Sequence, residues 1–184
     1  PLGISTGFAI RTGPGQSMAE LYREADNAMY KEKLFGSQHA RNIMVKNLLN
    51  TIEAKGITTK QSLKRLRQLV TVLGRASGLP EKRLKDLALL AQFHDIGNVS
   101  IHDRILLKSG SLTEEELLEV RKHCDIGHRI AQSAASLTPI ADYILKHHEW
   151  WDGSGYPLGL AGEEIPLESR IMAIADAYES MTGG

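Results

Sequence analysis

The chain has 184 residues, of which 42% are hydrophobic and 24% are charged, and its 22 basic and 22 acidic residues cancel. This composition is typical of a soluble globular protein and excludes the disordered and collagen-like classes. No apolar run approaches the roughly 18 residues that a membrane-spanning helix needs. Because the start of the chain has no signal-peptide pattern and the single Cys124 has no internal disulfide partner, we expect a reducing, cytoplasmic location.

The charges are segregated along the chain although their sum is zero. Residues 41–85 contain 11 Lys and Arg against two acids, whereas residues 93–184 contain 15 acids against seven Lys and Arg. Two interpretations of the basic stretch stay open: a solvated helix face that complements the acidic half, or a patch that attracts anions. No motif for binding duplex DNA or RNA accompanies it, so duplex nucleic acid is not an expected partner.

The first forty residues predict one strand followed by one helix. Leu2 to Ile10 has the pattern of a short strand, and a capping box at Ser17 and Glu20 begins a helix that ends near Gly36. One strand and one helix cannot bury both of their apolar faces, so this piece is expected to be the end of a larger domain. The strand would lack sheet neighbours, and its open edge predicts pairing with a second copy in a homodimer.

The rest of the chain is predicted to be helical, because its apolar residues recur at helical spacing. The predicted helices cover, in order, residues 45–55, 59–77, 84–94, 114–123, 126 onward, 138–148 and 167–181. Thr113 and Glu116 form a capping box before the helix that is expected to reach His123, and Asp125 is expected to cap the next one. Four glycines make residues 152–162 a loop rather than a helix.

Five of the seven histidines fall within one stretch of about 55 residues, and several adjoin an acid; they are His94, His123, His128, His147 and His148. Imidazole and carboxylate together suit Zn, Fe, Mn or Co, while the near absence of cysteine argues against a zinc–thiolate structural site. A lone histidine on a helix is more simply structural. Here the histidines are predicted at the C-termini of different helices, from which side chains can converge on one cavity. His128, about 140° around the helix from His123, is expected outside that cavity.

An ordered series of motifs runs through the same part of the chain. It consists of Phe93-His94-Asp95-Ile96-Gly97, His123, His147-His148-Glu149, Asp152-Gly153-Ser154-Gly155-Tyr156-Pro157, Arg170-Ile171 and Ala175-Asp176-Ala177. Over residues 43–182 this series closely resembles the HD-GYP phosphodiesterases, a branch of the HD superfamily of metal-dependent phosphohydrolases. Residues 3–35 resemble the last part of a GGDEF diguanylate cyclase domain. The resemblance implies a mainly α fold: a strand–helix GGDEF fragment over residues 1–38, then an HD helical bundle over residues 39–184, truncated at its C-terminus.

The resemblance also implies a two-metal centre and a cyclic dinucleotide substrate. The implied metal ligands are His94, Asp95, His123, His147, His148 and Asp176, with the Asp95 carboxylate bridging two divalent ions of Fe, Mn, Zn, Co or Ni. The implied reaction is hydrolysis of cyclic di-GMP to pGpG by a metal-bridging hydroxide, with His94 and Asp95 as catalytic residues. The residues implied to bind substrate are Asn98, Asp152, Gly153, Gly155, Tyr156, Pro157 and Arg170. From spacing alone, the loop at 152–162 could equally be a connection between two helices.

Four positions depart from the family pattern. Thr58 and Ser62 stand where members with a third metal carry Glu and His, and Asn98 stands where a Lys usually meets the substrate phosphate. His102 stands where a Pro is usual. The arginine-rich segment that usually continues the last helix does not follow Met181. A second hypothesis therefore stays open, a catalytically weak or inactive nucleotide-sensing module that partners GGDEF-domain proteins. A phosphohydrolase of another nucleotide is a third.

Three further residues adjoin the motifs. Cys124 is expected to serve packing, since a thiolate at that position has no counterpart in the family. Trp150 and Trp151 follow the histidine pair, and two interpretations stay open for them. One of them stacks on a guanine base, or both are aromatic residues of the core or anchors of the loop.

Overall fold

The structure is a computed structural model that describes residues 6–13, 15–29, 43, 45, 47, 48, 50, 51 and 59–182. The chain divides into two compact units, Pro1–Met44 and Val45–Gly184. Most of the described residues are helical, and none of those residues belongs to a β-strand. The prediction of a mainly α fold is therefore confirmed, whereas the domain boundary between residues 38 and 39 stays a prediction.

In the first unit, helix α1 spans residues 18–29. Its capping box forms as predicted, because Glu20 accepts the Ser17 N–H at 2.8 Å and the Ser17 hydroxyl accepts the Glu20 N–H at 3.3 Å. The predicted end of this helix near Gly36 lies outside the described residues.

The predicted N-terminal strand is wrong over its described part, residues 6–10. A strand needs a second strand for its hydrogen bonds, and the described residues supply none. Gly7 instead lies against α1, so closely that an added Cβ would be 2.0 Å from the Ala25 carbonyl oxygen. The homodimer expected from a strand edge therefore loses its structural argument.

The second unit is a helical bundle. Within residues 59–182 its α-helices are α2 (Lys60–Ala76), α3 (Glu81–Phe93), α4 (Asp103–Leu106), α5 (Glu114–Arg121), α6 (His123–Ser133), α7 (Ala141–Lys146) and α8 (Leu167–Thr182). Residues 45, 47, 48, 50 and 51 are also helical. Short 3₁₀ turns lie at Ile96–Ser100, Thr138–Ile140 and Gly162–Glu164. Helix α2 packs against α3 and α8, and α6 packs against α7 and the first of these turns. No helix in the described part of the chain is both long and apolar enough to cross a membrane.

One apolar core joins these helices, and its largest side chains are almost fully buried. They include Val70, Leu87, Leu90, Ile96, Ile140, Ile144 and Met172. The ends of several of these helices carry the histidines. Helix α3 ends just before His94, α6 begins at His123, α7 ends just before His147, and α8 carries Asp176.

Two ion pairs connect α8 to α2 and α3. Both oxygens of the buried Glu168 accept hydrogen bonds from Arg83, at 2.5 and 2.7 Å. Arg65 lies 2.8 Å from Glu179, which is also buried. In both pairs the basic stretch 41–85 supplies the cation and the acidic half supplies the anion. These contacts favour the interpretation in which the two halves complement each other.

Two predicted boundaries around His123 are wrong. Helix α5 ends at Arg121, and His123 begins α6 rather than ending α5. Asp125 consequently lies in the first turn of α6 and does not cap it. Only Lys122 separates the two helices, and its backbone is itself helical (φ −62°, ψ −17°), so the hydrophobic pattern has no visible break. The short α4 was not predicted, since four residues give no periodic signal.

Candidate metal centre

His94 lies at the end of α3 with only 3% of its surface exposed. Its Nδ1 is 3.2 Å from the Ala91 carbonyl oxygen, and because a carbonyl can only accept, Nδ1 must carry a proton. Its Nε2 faces two carboxylates, with Asp95 Oδ2 at 3.4 Å and Asp176 Oδ1 at 3.7 Å. Burial opposes the charged imidazole, but these carboxylates outweigh it and raise the pKa of His94 to about 9. Nε2 therefore lies at a position where two acids favour a cation.

His123 and His147 are oriented in the same way. The Nδ1 of His123 lies 2.7 Å from the Val120 carbonyl oxygen, and that of His147 lies 2.6 Å from the Ile144 carbonyl oxygen. Like His94, each donates to the carbonyl three residues earlier. A hydrogen bond of this kind fixes the tautomer and the ring plane, and it directs Nε2 away from the backbone. The Nε2 atoms of His123 and His147 lie 3.4 Å apart.

Asp95 lies between these two groups of histidines. Its Oδ2 faces His94, while its Oδ1 lies 3.6 Å from the Nε2 of His123. One carboxylate therefore presents a different oxygen to each side of the cluster. Its side chain is 31% exposed, the same fraction as that of Asp176, so the cluster opens to solvent on the side of the acids.

His148 completes the cluster and is held by ring contacts. Its ring centroid lies 4.0 Å from that of His147 and 5.0 Å from that of His123, and it stacks on the Tyr156 ring at 4.9 Å. All six residues that the family resemblance implies as ligands thus lie together. His128 is not among the residues whose ligand atoms converge, as predicted, and its Nδ1 instead lies 2.9 Å from the Ala141 carbonyl oxygen.

Cys124 lies at this cluster, which the sequence did not suggest. The thiol is buried as a packing residue would be, but its Sγ is 3.6 Å from the Nε2 of His123. The ligand-type atoms of His123, Cys124, His147 and His148 all lie within 4.8 Å of one another. Burial, followed by nearby carboxylates such as Asp95, raises the pKa of the thiol. Cys124 therefore presents a neutral sulfur to the site.

The donor set fits a divalent transition metal. Burial, reinforced by the neighbouring imidazoles, lowers the pKa of His147 well below its usual range, and the pKa of His148 falls to about 4 for the same reasons. Neutral imidazole is the form that binds metals. The Nδ1 atoms of His123 and His147 are directed at backbone carbonyls, so the two Nε2 atoms face each other, and the neutral His147 ring presents a lone pair there as a metal ligand does.

Glu149 anchors the loop beside the cluster. Its side chain is only 2% exposed, and its two oxygens accept the backbone N–H groups of Leu158 at 2.6 Å and Leu160 at 2.9 Å. Near the start of the loop, Asp152 accepts from the Ser154 N–H at 3.0 Å and from its hydroxyl at 2.6 Å. Asp152 thus shapes a turn within the loop, while Glu149 connects the loop to the histidine pair.

The loop approaches the histidines where glycine is required. An added Cβ on Gly155 would lie 2.3 Å from the Trp150 backbone nitrogen, and Gly153 has a φ of +82°. This close approach brings Tyr156 onto His148, whose carbonyl oxygen also accepts the Tyr156 N–H at 3.1 Å. Pro157 follows through a cis peptide bond.

Two further residues implied to bind substrate are Asn98, whose N–H donates to the Asp95 carbonyl oxygen at 2.9 Å, and Arg170. Asn98 is 6% exposed, and its Oδ1 has no hydrogen-bond partner in the described part of the chain. The guanidinium of Arg170 lies 5.4 Å from the centre of the Trp151 ring. Trp150 and Trp151 are 59% and 61% exposed, so the interpretation that places them in the core is wrong.

The family assignment follows from comparison with known proteins. A family model described as an HD domain matches residues 20–184. The chain belongs to the HD domain family. The predicted helical bundle of this HD domain is thereby confirmed. The GGDEF fragment predicted for residues 1–38 stays a prediction.

Curated relatives of this HD domain are named as cyclic dinucleotide phosphodiesterases. The cyclic di-GMP phosphodiesterase response regulator RpfG of Xanthomonas campestris pv. campestris is 37% identical over 136 residues, which cover 73% of this chain and 36% of that protein. A cyclic di-GMP phosphodiesterase of Thermotoga maritima is 39% identical over 142 residues, or 74% of this chain and 38% of that protein. The 3'3'-cGAMP-specific phosphodiesterase 2 of Vibrio cholerae is 37% identical over 140 residues, which cover 75% of this chain and 27% of that protein. The HD-GYP resemblance is confirmed, and the chain spans well under half the length of these relatives.

Sequence reasoning missed two structural roles in this HD domain. Glu149 stands within the recognised motif, but nothing in the pattern indicates that its carboxylate binds backbone groups nine and eleven residues later. Cys124 adjoins His123, and that adjacency was the available signal. It became informative only once His123 was seen to begin α6.

Proposed function

We propose that this HD domain is a metal-dependent phosphodiesterase that hydrolyses cyclic di-GMP to pGpG. The observation that carries the proposal is the convergence of four imidazoles and two carboxylates beneath a glycine-rich loop. The substrate is supported by the names of the relatives, several of which are cyclic di-GMP phosphodiesterases.

Two divalent ions per chain form part of the proposal. His94, Asp95 and Asp176 face one another and would hold one ion, and His123, His147 and His148 would hold the other. The two oxygens of Asp95, which face His94 and His123, support a bridging role. When bound, such ions acidify a water molecule and offset the charge of a phosphodiester in hydrolysis.

The chain's own residues prepare the site for this chemistry. Backbone carbonyls orient His94, His123 and His147 before any ligand arrives, so little reorganisation is needed on binding. Tyr156 stacks on His148 from the side of the loop and holds that ring in place. His94, with its raised pKa, holds a proton between Asp95 and Asp176 that it gives up when metal is taken up.

Two observations favour alternatives to the hydrolysis of cyclic di-GMP. Two of the relatives are named 3'3'-cGAMP-specific phosphodiesterases, which makes that nucleotide the second candidate substrate. Asn98 is buried and uncharged, which favours weak turnover and hence the nucleotide-sensing module. Location in the cytoplasm and partnership with GGDEF-domain proteins also belong to the proposal.

The test compares substrates and variants. Purified protein reconstituted with Mn²⁺ or Fe²⁺ is incubated with cyclic di-GMP and, separately, with 3'3'-cGAMP, and the products are separated by ion-exchange chromatography. We expect cyclic di-GMP to give pGpG and to react faster than 3'3'-cGAMP. Asp95→Asn should abolish product formation, whereas the matched Asp142→Asn, a surface carboxylate paired with Lys146, should not. Equal activity of both variants would exclude Asp95 from the reaction.

A further inference from the structure

Arg121 lies at the edge of the candidate metal centre. It is the last residue of α5, is exposed, and precedes His123 by two positions. Its guanidinium carbon is 4.9 Å from the centre of the Tyr156 ring, and that ring stacks on His148 at 4.9 Å. The positive charge of Arg121 is therefore separated from the metal-ligand cluster by a single aromatic ring.

Arg121 has no acidic partner in the described part of the chain. Five cations of the bundle do have one, and they are Arg65 with Glu179, Arg83 with Glu168, Lys108 with Glu116, Lys122 with Glu119 and Lys146 with Asp142. Contact with Tyr156 holds the guanidinium plane by a cation–π interaction. A stacked guanidinium keeps its N–H edge available for a planar pair of acceptors.

A cyclic dinucleotide needs a second cationic contact. It carries two phosphodiester groups, and only one of them can occupy the reacting position at the metal cluster. The other must lie on the surrounding rim, where a charge-assisted hydrogen bond would favour binding. Asn98 has no charge to offer. Among the described residues Arg170 also stacks on an aromatic ring, that of Trp151, but its Nε is buried.

We propose that Arg121 is a specificity-determining residue that donates paired N–H groups to the non-reacting phosphodiester of a cyclic dinucleotide. This inference rests on the proposed function for its choice of ligand. Arg121 would then distinguish a substrate that has two phosphodiester groups from a simple diester. A simple diester places its one phosphate at the cluster and has no second phosphate for Arg121 to bind.

The experiment compares Arg121→Met and Arg121→Lys with a matched control, Arg129→Met, an exposed arginine of α6. The KM is measured for cyclic di-GMP and for bis(p-nitrophenyl) phosphate, a diester with one phosphorus. Arg121→Met should raise the KM of cyclic di-GMP by roughly tenfold or more, and several times more than that of the simple diester. Arg121→Lys should recover part of the loss, because it restores the charge without the paired donors. Arg129→Met should change neither KM by more than about twofold, as a surface substitution should.

If the protein turns over neither diester, the dissociation constant of cyclic di-GMP, measured by calorimetry, replaces the KM. Weaker binding by Arg121→Met would then support the inference although the proposed function had failed. Turnover of cyclic di-GMP with an unchanged KM in Arg121→Met would overturn the inference and leave the function standing. A loss that is equal for both diesters would also overturn it, since that result means Arg121 only supports Tyr156. Absence of any cyclic di-GMP binding by the unmodified protein would overturn it as well.

Discussion

The Nε2 atoms of His123 and His147 lie 3.4 Å apart, although each ring already donates its Nδ1 proton to a backbone carbonyl. Both Nε2 atoms are thereby directed into the cluster, where the Sγ of Cys124 also lies 3.6 Å from the Nε2 of His123. Two ring nitrogens that the backbone orients towards each other in this way form a preorganised pair of metal ligands.

Metal uptake should stabilise the fold. A ligand that binds only the native state at 100 times its Kd adds about 2.7 kcal/mol, and for a domain of this size that shifts the Tm by roughly 5–10 °C. We predict a shift of this order when Mn²⁺ or Zn²⁺ is added to chelator-treated protein in a thermal unfolding experiment. His128→Ala, which removes a histidine outside the cluster, should keep the metal response, and His123→Ala should reduce it. An identical response of both variants would contradict this assignment of the ligands.

Glu149→Gln should uncouple the loop from the histidine pair. The substitution replaces one carboxylate oxygen with an NH₂ group, which cannot accept the N–H of Leu158 or Leu160. We expect a stability loss of about 1–3 kcal/mol and at least about a tenfold fall in kcat/KM, since the loop positions Tyr156. Denaturant unfolding and steady-state kinetics measure the two effects. The exposed Glu163→Gln is the control. Equal stability and equal kcat/KM of the two variants would show that the hydrogen bonds of Glu149 contribute to neither property.

Gly155→Ala should displace the loop without unfolding the bundle. Its Cβ would meet backbone atoms of residues 148–150, which cannot move as a flexible side chain would. We predict a clear loss of phosphodiesterase activity with retained helical circular dichroism. Gly110→Ala is the matched control, because an added Cβ there meets nothing within 4 Å. Full activity of Gly155→Ala would mean that phosphodiesterase activity does not need the close approach of Gly155 to the backbone of residues 148–150.

The Arg83–Glu168 pair should make stability depend on acid pH. Burial raises the pKa of Glu168, but the hydrogen bonds and charge of Arg83, together with hydrogen bonds from the backbone and Tyr143, outweigh burial, and the net shift is downward. The carboxylate therefore stabilises the fold above its unfolded pKa near 4.5, and that contribution is lost as the pH falls through the lower folded pKa. Arg83→Leu should destabilise the protein by about 3 kcal/mol at pH 7, the low end for a broken buried pair because Arg83 is 44% exposed. Urea unfolding at pH 7 and at pH 4 measures both effects. The free energy of unfolding should differ less between these two pH values in Arg83→Leu than in the unmodified protein.

The sequence predicts the site better than it predicts the fold around it. The ordered motifs identify His94, Asp95, His123, His147, His148 and Asp176, and all six lie together. Helical periodicity correctly predicts the long α2, α3 and α8, because each has a continuous buried stripe. Helical periodicity fails at Lys122, because this one helical residue joins two helices without a break in the pattern. The strand pattern fails at residues 6–10, because a pattern alone cannot supply a partner strand. Long-range contacts of Glu149 and Arg121 depend on loop conformation, which no local pattern encodes.

The most direct test is a titration of metal-free protein with Mn²⁺, in which bound metal per chain and pGpG formed from cyclic di-GMP are measured on the same samples. Two bound ions per chain, with pGpG formation that rises as they bind and stops on addition of EDTA, would agree with a two-metal phosphodiesterase. Protein that binds two ions without forming pGpG, or that forms pGpG in the presence of EDTA, would contradict it.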